Sequence, residues 1–254
     1  MRIAGLVEYD GAEFAGWAAQ PDKRTVEGTL TEALRTILRQ PIKLAVAGRT
    51  DAGVHASGQV VTFDSAADLA PHLVAYKTTA VLPKDAALRR CVEVPVSFDA
   101  RRSARSRSYE YRIVNSPTRS ALRWRRTMFV PQQLDFDLLQ HAAMVLRGTH
   151  DFRAFTPSRS YHVRFERTVT ESNWMRDGDL LTYKIAANSF LYGMVRTIIG
   201  TMLEVAQDKR DLTDFEQLFS GGGRIEAGPA VPARGLILTD VGYELDLWGD
   251  AEHG

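Results

Sequence analysis

Apolar positions over the first hundred residues fall into six blocks whose spacing switches between two periods. Residues 3–8 read as a strand, after which Val26, Leu30, Ala33, Leu34, Ile37 and Leu38 fall on one helical face. Residues 42–47 and 59–63 read as strands on either side of a glycine-rich loop. Residues 69–79 then read as a helix and 88–94 as a strand. The order is βαββαβ, the split βαβ of ferredoxin-like domains. The remaining chain gives that order again. Residues 106–115 alternate as a strand, and 136–146 form an amphipathic helix beyond Pro131. Residues 166–175 and 180–187 form a hairpin around Arg176-Asp177-Gly178-Asp179, where Asp-Gly is a strong turn signal. A long helix over 189–207 and a closing strand over 235–245 are joined by a loop with Gly221, Gly222, Gly223, Pro229 and Pro232. The halves share no visible sequence identity, so the repeat is architectural. The expected fold is α+β: two ferredoxin-like halves, 1–100 and 101–254, with mainly antiparallel sheets and an active-site cleft between them.

Composition narrows the class. With 44% hydrophobic and 25% charged residues over 254 positions, the chain reads as an ordinary globular protein with room for a large core. No apolar run approaches the roughly eighteen residues of a membrane span, so no membrane association is expected. The first residues enter a strand pattern directly, without a signal-peptide core. The single Cys91 excludes an internal disulfide, fits a reduced cytoplasmic setting and reads as a small core residue. No Cys/His cluster has metal-ligand spacing, and no metal or organic cofactor is expected.

The net charge of +1 conceals segregation. Residues 101–126 hold nine arginines, among them Arg101 and Arg105, against the single acid Glu110. The last eighteen residues hold five acids and no Lys or Arg. Arginines interleaved with Tyr109, Tyr111 and Trp124 suit a polyanion, with guanidinium forks for phosphate and rings for base stacking. A solvated charged face is the other reading of the same stretch.

Three positions carry candidate chemistry. In Gly48-Arg49-Thr50-Asp51-Ala52-Gly53-Val54-His55-Ala56-Ser57-Gly58, glycines five residues apart bracket an Arg, an Asp and a His. A carboxylate in such a loop is a candidate reactive group, although Gly/Asp connections also serve simply as turns. Arg49 is available for phosphate. His55 either contacts phosphate or braces the loop. Between Phe190 and Val205 the only charges are Arg196 and Glu204, so the helix reads as buried. A buried guanidinium needs an acid partner: Asp51, or Asp99 or Glu166 in a structural role. Period-2 alternation puts Tyr109, Tyr111 and Ile113 on one strand face, where a tyrosine is either core packing or chemistry.

The stretch GRTDAGVHASGQVV resembles the signature loop of the TruA-type tRNA pseudouridine synthases. The resemblance implies that Asp51 is the catalytic carboxylate. Residues 188–196 resemble the family's third motif, whose arginine pairs with the catalytic Asp, here Arg196. Residues 107–113 resemble its R-x-Y-x-Y motif, whose first tyrosine stacks on the target base and is placed to accept a proton. That role falls on Tyr109, and Tyr111 reads as core. Further matches are Glu8-Tyr9-Asp10-Gly11, Gly16-Trp17, Gly148-Thr149-His150-Asp151-Phe152, Ala154-Phe155 and Ala233-Arg234-Gly235-Leu236. Two departures stand out: Ala18-Ala19 precede Gln20 where the family continues with Gln, and residues 76–81 lack the usual Asn before Leu82-Pro83. Neither touches Asp51, Tyr109 or Arg196.

The implied activity is isomerisation of uridine to pseudouridine in the anticodon stem-loop of tRNA, at positions 38–40, by an Asp nucleophile without cofactor. Arg49, His55, Arg101, Arg105 and Tyr109 would contact the RNA. The family resemblance also implies a homodimer in which one protomer holds the tRNA body while the other presents its active site. The rival expectation is a non-catalytic RNA-binding protein of RRM-like architecture. Such a platform needs RNP aromatics, and the sequence has no K/R-G-F/Y-G/A-F-V run.

Overall fold

A computed structural model describes residues 1–157, 163–220 and 226–249. The glycines at 221–223 and the acids at 250 and 252 lie outside them. Two compact units emerge: Met1–Ser106 with the stretch from Ile237 onward, and Arg107–Leu236. The division falls at 106/107 rather than 100/101, and the closing strand belongs almost wholly to the first unit. Its partner there explains why.

The first unit runs β1 (Arg2–Tyr9), α1 (Val26–Leu38), β2 (Ala45–Val46), β3 (His55–Asp64), α2 (Pro71–Val81) and β4 (Ala86–Val94), the βαββαβ order expected. Its strands lie in the order β4-β1-β3, with β2 along the far edge of β3. The β1 pairings with β3 and β4 are antiparallel. Helix α1 starts at Thr25, whose hydroxyl accepts the Gly28 N–H, and ends at Arg39 in the left-handed region (φ 53°). Its face Val26, Leu30, Ala33, Leu34 and Leu38 is buried, as the 3.6-residue spacing requires. The strand expected at 42–47 shrinks to the two residues of β2. Strand β10 (Leu236–Tyr243) then joins β3 in parallel, Ile237 opposite His55 and Leu238 opposite Ala56. Gly58 permits this: a Cβ there would lie 2.0 Å from the Thr239 carbonyl oxygen.

The second unit starts inside β5 (Ala104–Asn115) and continues through β6 (Met128–Val130), α3 (Phe136–Val145), β7 (Gly148–Asp151), β8 (Glu166–Asp177), β9 (Leu180–Ala187), α4 (Met194–Ala206) and α5 (Leu212–Gln217). Its sheet has the order β5-β9-β8-β7, with β6 beside β5. The β8–β9 hairpin turns where expected, with Gly178 at φ 57°. Helix α4 begins five residues later than expected. Gly193 adopts φ 69°, and the Asn188 side-chain oxygen takes the N–H groups of Ser189 and Thr168 at 2.8 and 3.2 Å, drawing the lead-in away from helix. Strands β6 and β7 and helix α5 were not expected. Of the Gly148–Phe155 stretch, Phe152, Ala154 and Phe155 are core: Phe152, Phe155 and Phe215 are fully buried, and Phe219 lies 5.2–5.5 Å from each. Among the described residues no helix is long and apolar enough to cross a membrane.

Gly58→Ala is expected to force β3 and β10 apart at a cost of about 1–3 kcal/mol, because the colliding atom is backbone and cannot rotate away. A urea midpoint equal to that of the unaltered protein would contradict this pairing.

Candidate active site

The loop that carries Asp51 is held from beneath by side chains and from the side by backbone. Ala47 N–H bonds the Val60 carbonyl at 2.9 Å, closing the loop at its base. The Gln59 amide then acts as a surrogate strand: its Nε2 donates to the Gly48 carbonyl at 2.7 Å and its Oε1 accepts the Gly48 N–H at 3.4 Å. Thr50 is buried, with its Oγ1 2.7 Å from the Tyr9 hydroxyl and its carbonyl taken by Trp17 N–H at 3.0 Å. Gly53, at φ 80°, turns the chain, and Val54 N–H closes onto the Asp51 carbonyl at 3.2 Å. Between these anchors Arg49 is exposed and Asp51 half-buried. Buried Thr50 on one side and Val54 beyond Gly53 on the other fix the backbone of a side chain that still reaches the surface.

The segment from Tyr9 to Trp17 forms the wall. A Cβ on Gly11 would lie 2.0 Å from the Val54 carbonyl, and one on Gly16 would lie 3.0 Å from that of Thr50. Gly16 also sits at φ 97°, which side chains rarely adopt. His55 is 3% exposed, and its Nδ1 lies 3.1 Å from both the Gly11 N–H and the Asp10 carboxylate. These contacts are those of a brace, the second of the two readings of His55. The wall is tied down in turn by Arg24. Its two Nη atoms grip both Asp85 carboxylate oxygens at 2.7 and 2.6 Å, and its guanidinium lies 4.0 Å from the Phe14 ring centroid.

In the second unit Tyr109 lies on β5 opposite Ile185, 9% exposed. Phe190 meets its ring edge-on at 5.1 Å and 87°, which fixes the ring plane. Tyr111, on the same face, is core: it is fully buried and donates to the Pro232 carbonyl at 2.8 Å. Burial drives its phenol well above the ordinary range. The next carbonyl back, that of Val231, accepts from Arg196 Nε at 2.7 Å. Arg196 is half-buried, and one edge of its guanidinium is taken by this carbonyl within its own unit. Arg49 and Asp51 thus share one loop of the first unit, His55 opens the strand that follows it, and Tyr109 and Arg196 belong to the second unit.

The arginine-rich stretch is not one uniform surface. Arg101 and Arg105 are exposed in the first unit, where Arg105 pairs with Glu244. From Arg107 the chain belongs to the second unit, and there Arg112 pairs with Glu110 and Arg123 with Asp179. Arg107 itself is 9% exposed and donates to the Asn188 carbonyl at 3.0 Å. The sequence carried that signal, since Arg107 has the same strand parity as Tyr109 and Tyr111. Tyr9, Thr50 and Gln59 were also missed as support residues. Tyr9 and Gln59 are polar side chains within apolar strand pattern, and only their partners mark them as supports.

Other candidates hold less. An open depression of about 630 Å³ is lined by Asp135, Phe136, Asp137, Arg176, Gln207 and Asp208, and contains none of the residues above. Among the described residues no group of three or more His, Cys, Asp or Glu could hold a metal ion.

The family model described as tRNA pseudouridine synthase matches residues 6–101 and 142–244. A tRNA pseudouridine synthase A of Geobacillus kaustophilus is 37% identical over 244 residues, covering 96% of this chain and 95% of the relative. One from Leifsonia xyli subsp. xyli is 40% identical over 266 residues, covering 94% and 91%. One from Halalkalibacterium halodurans is 38% identical over 237 residues, covering 93% and 90%. The chain belongs to the tRNA pseudouridine synthase family. Asp51 and Arg196 fall inside the matched stretches, and Tyr109 lies between them.

The Arg24 hydrogen bond holds the Asp85 carboxyl below its ordinary value of 3.8. The folded value therefore lies below the unfolded one. The pair contributes stability above roughly pH 4 and loses it as pH falls through the folded value. Arg24→Gln is expected to lower the urea midpoint slightly at neutral pH, the gap closing in stronger acid. A gap of the same size at pH 7 and at pH 3 would contradict this.

Proposed function

We propose that the protein is an isomerase that converts uridine to pseudouridine in the anticodon arm of tRNA, with Asp51 as nucleophile. The observation that supports this most is the Asp51 loop: a half-buried carboxylate with fixed backbone, within a stretch matched by the family model. The reaction breaks the C1′–N1 bond, turns the base and joins C1′ to C5. A proton leaves C5 and N1 gains one, so no redox partner or water is consumed. Either point of attack by Asp51, C1′ or C6, needs the carboxylate ionised. Arg196 is assigned the cationic role that favours this form. Tyr109, with its ring plane set by Phe190, is assigned base stacking and removal of the C5 proton, directly or through water.

The target base must leave its stack, and phosphate contacts offset that cost. Arg49, Arg101 and Arg105 are exposed and suit this task. The Arg105–Glu244 pair is a surface one, of the kind worth about 1 kcal/mol or less, so phosphate can replace the carboxylate. His55 is assigned to bracing rather than to RNA. The reading includes action in the cytoplasm, which the single Cys91 fits, and as a homodimer, as the family resemblance implies.

Asp51→Asn is expected to abolish isomerisation and leave tRNA affinity nearly unchanged, because the carboxylate does the chemistry and arginines bind phosphate. Turnover above about one hundredth of the unaltered rate would contradict the nucleophile assignment, since loss of a sole nucleophile costs many orders of magnitude. No turnover by the unaltered protein on tRNA that it binds would favour a non-catalytic RNA-binding role.

A further inference from the structure

The chemistry assigned above leaves one buried polar cluster unused, beneath the loop. Tyr9 is 3% exposed, and its ring packs against Phe14 and Trp17 with centroids 6.4 and 6.0 Å away. Its hydroxyl oxygen accepts from Gln59 Nε2 at 3.4 Å and lies 2.7 Å from Thr50 Oγ1. With its lone pair facing Gln59, the phenol has its own proton for Thr50. Gln59 is fully buried and spends its remaining amide capacity on the backbone of Gly48 and on the Val60 N–H, which its Oε1 accepts at 3.2 Å. The residue immediately before Asp51 is thus tied through its side chain to Tyr9, and the loop base is tied through Gln59 to the same oxygen. Burial pushes the Tyr9 phenol up to about 12, which keeps it a neutral donor across the working range.

A fully apolar base would pack as well and leave no buried polar atoms to satisfy. What the Tyr9 hydroxyl adds is direction: it fixes the Thr50 side-chain torsion and so the angle at which the next residue leaves the backbone. We propose that Tyr9 is a positioning residue for the isomerisation, orienting Asp51 through Thr50, with Gln59 holding the Tyr9 oxygen in place. This rests on Asp51 being the nucleophile. Displacement of a reacting group by about 1 Å costs on the order of a hundredfold in rate, so a lost orienting bond should appear in turnover and not in tRNA binding.

The test compares single-turnover pseudouridine formation, tRNA affinity and thermal unfolding for a small set of variants. Tyr9→Phe removes one oxygen and keeps the ring; Thr50→Val removes the hydroxyl at nearly constant shape; Thr50→Ser retains it. Tyr183→Phe is the structural control, because Tyr183 is likewise fully buried and its hydroxyl lies 2.7 Å from Ser172 Oγ in the second unit's sheet. Tyr9→Phe and Thr50→Val are each expected to slow turnover by about ten- to a hundredfold at unchanged tRNA affinity. Their combination should be no slower than either alone, since both remove the same bond. Thr50→Ser should retain the rate, and Tyr183→Phe should lose stability without losing rate. Overturning results would be Tyr9→Phe at full rate, additive losses in the double variant, or a loss seen only in affinity. An active Asp51→Asn would instead sink the nucleophile assignment and this inference with it. An inactive Asp51→Asn beside a fully active Tyr9→Phe would sink this inference alone.

Discussion

Backbone pressed against backbone is the constraint from which the first unit's site follows. At Gly11 the chain passes so close to Val54 that a side chain would collide with its carbonyl, and at Gly16 a φ of 97° and a tight approach to the Thr50 carbonyl favour glycine. Those contacts, and the hydrogen bonds from Trp17 to Thr50 and within residues 51–54, remove the freedom a surface loop ordinarily has. A catalytic carboxylate benefits directly, because rate depends on the reacting atoms being held near their productive geometry before substrate arrives. The loop's anchors are buried and Asp51 is not fully so, which combines rigidity with access.

The second unit spends its polar groups differently. Two successive carbonyls, of Val231 and Pro232, accept from Arg196 and from Tyr111. Gly235 lets the chain pass over the Tyr111 ring, where a Cβ would lie 2.6 Å from Cζ. The stretch 231–235 therefore fixes both α4 and β5 of its unit. That gives the Ala233-Arg234-Gly235-Leu236 match a physical meaning: the glycine is required by a ring, and Arg234 lies 4.0 Å from the Trp124 ring centroid.

The element order of both halves was legible because the apolar periods change cleanly and Asp-Gly marks the β8–β9 hairpin. What escaped were elements whose residues carry no period. Strand β7 reads Gly-Thr-His-Asp, and only its ladder to β8 makes it a strand. The membership of β10 could not be read either, since its parallel pairing with β3 depends on Gly58 clearing Thr239, a contact between residues far apart in sequence. Asp51 stood out because an acid between glycines is chemically conspicuous. Its supports Tyr9 and Gln59 did not, because a tyrosine or glutamine in a strand looks like any other until its partner is known. Charge was legible in the same partial way: of the nine arginines, Arg105 and Arg123 meet acids remote in sequence and Arg107 is buried.

The most direct measurement incubates the purified protein with unmodified tRNA transcripts, without metal or cofactor, and maps pseudouridine by nucleotide position. The account predicts conversion of uridines confined to the anticodon arm, at positions 38–40. Transcripts that bind and emerge unmodified, or that carry pseudouridine only outside that arm, would contradict it.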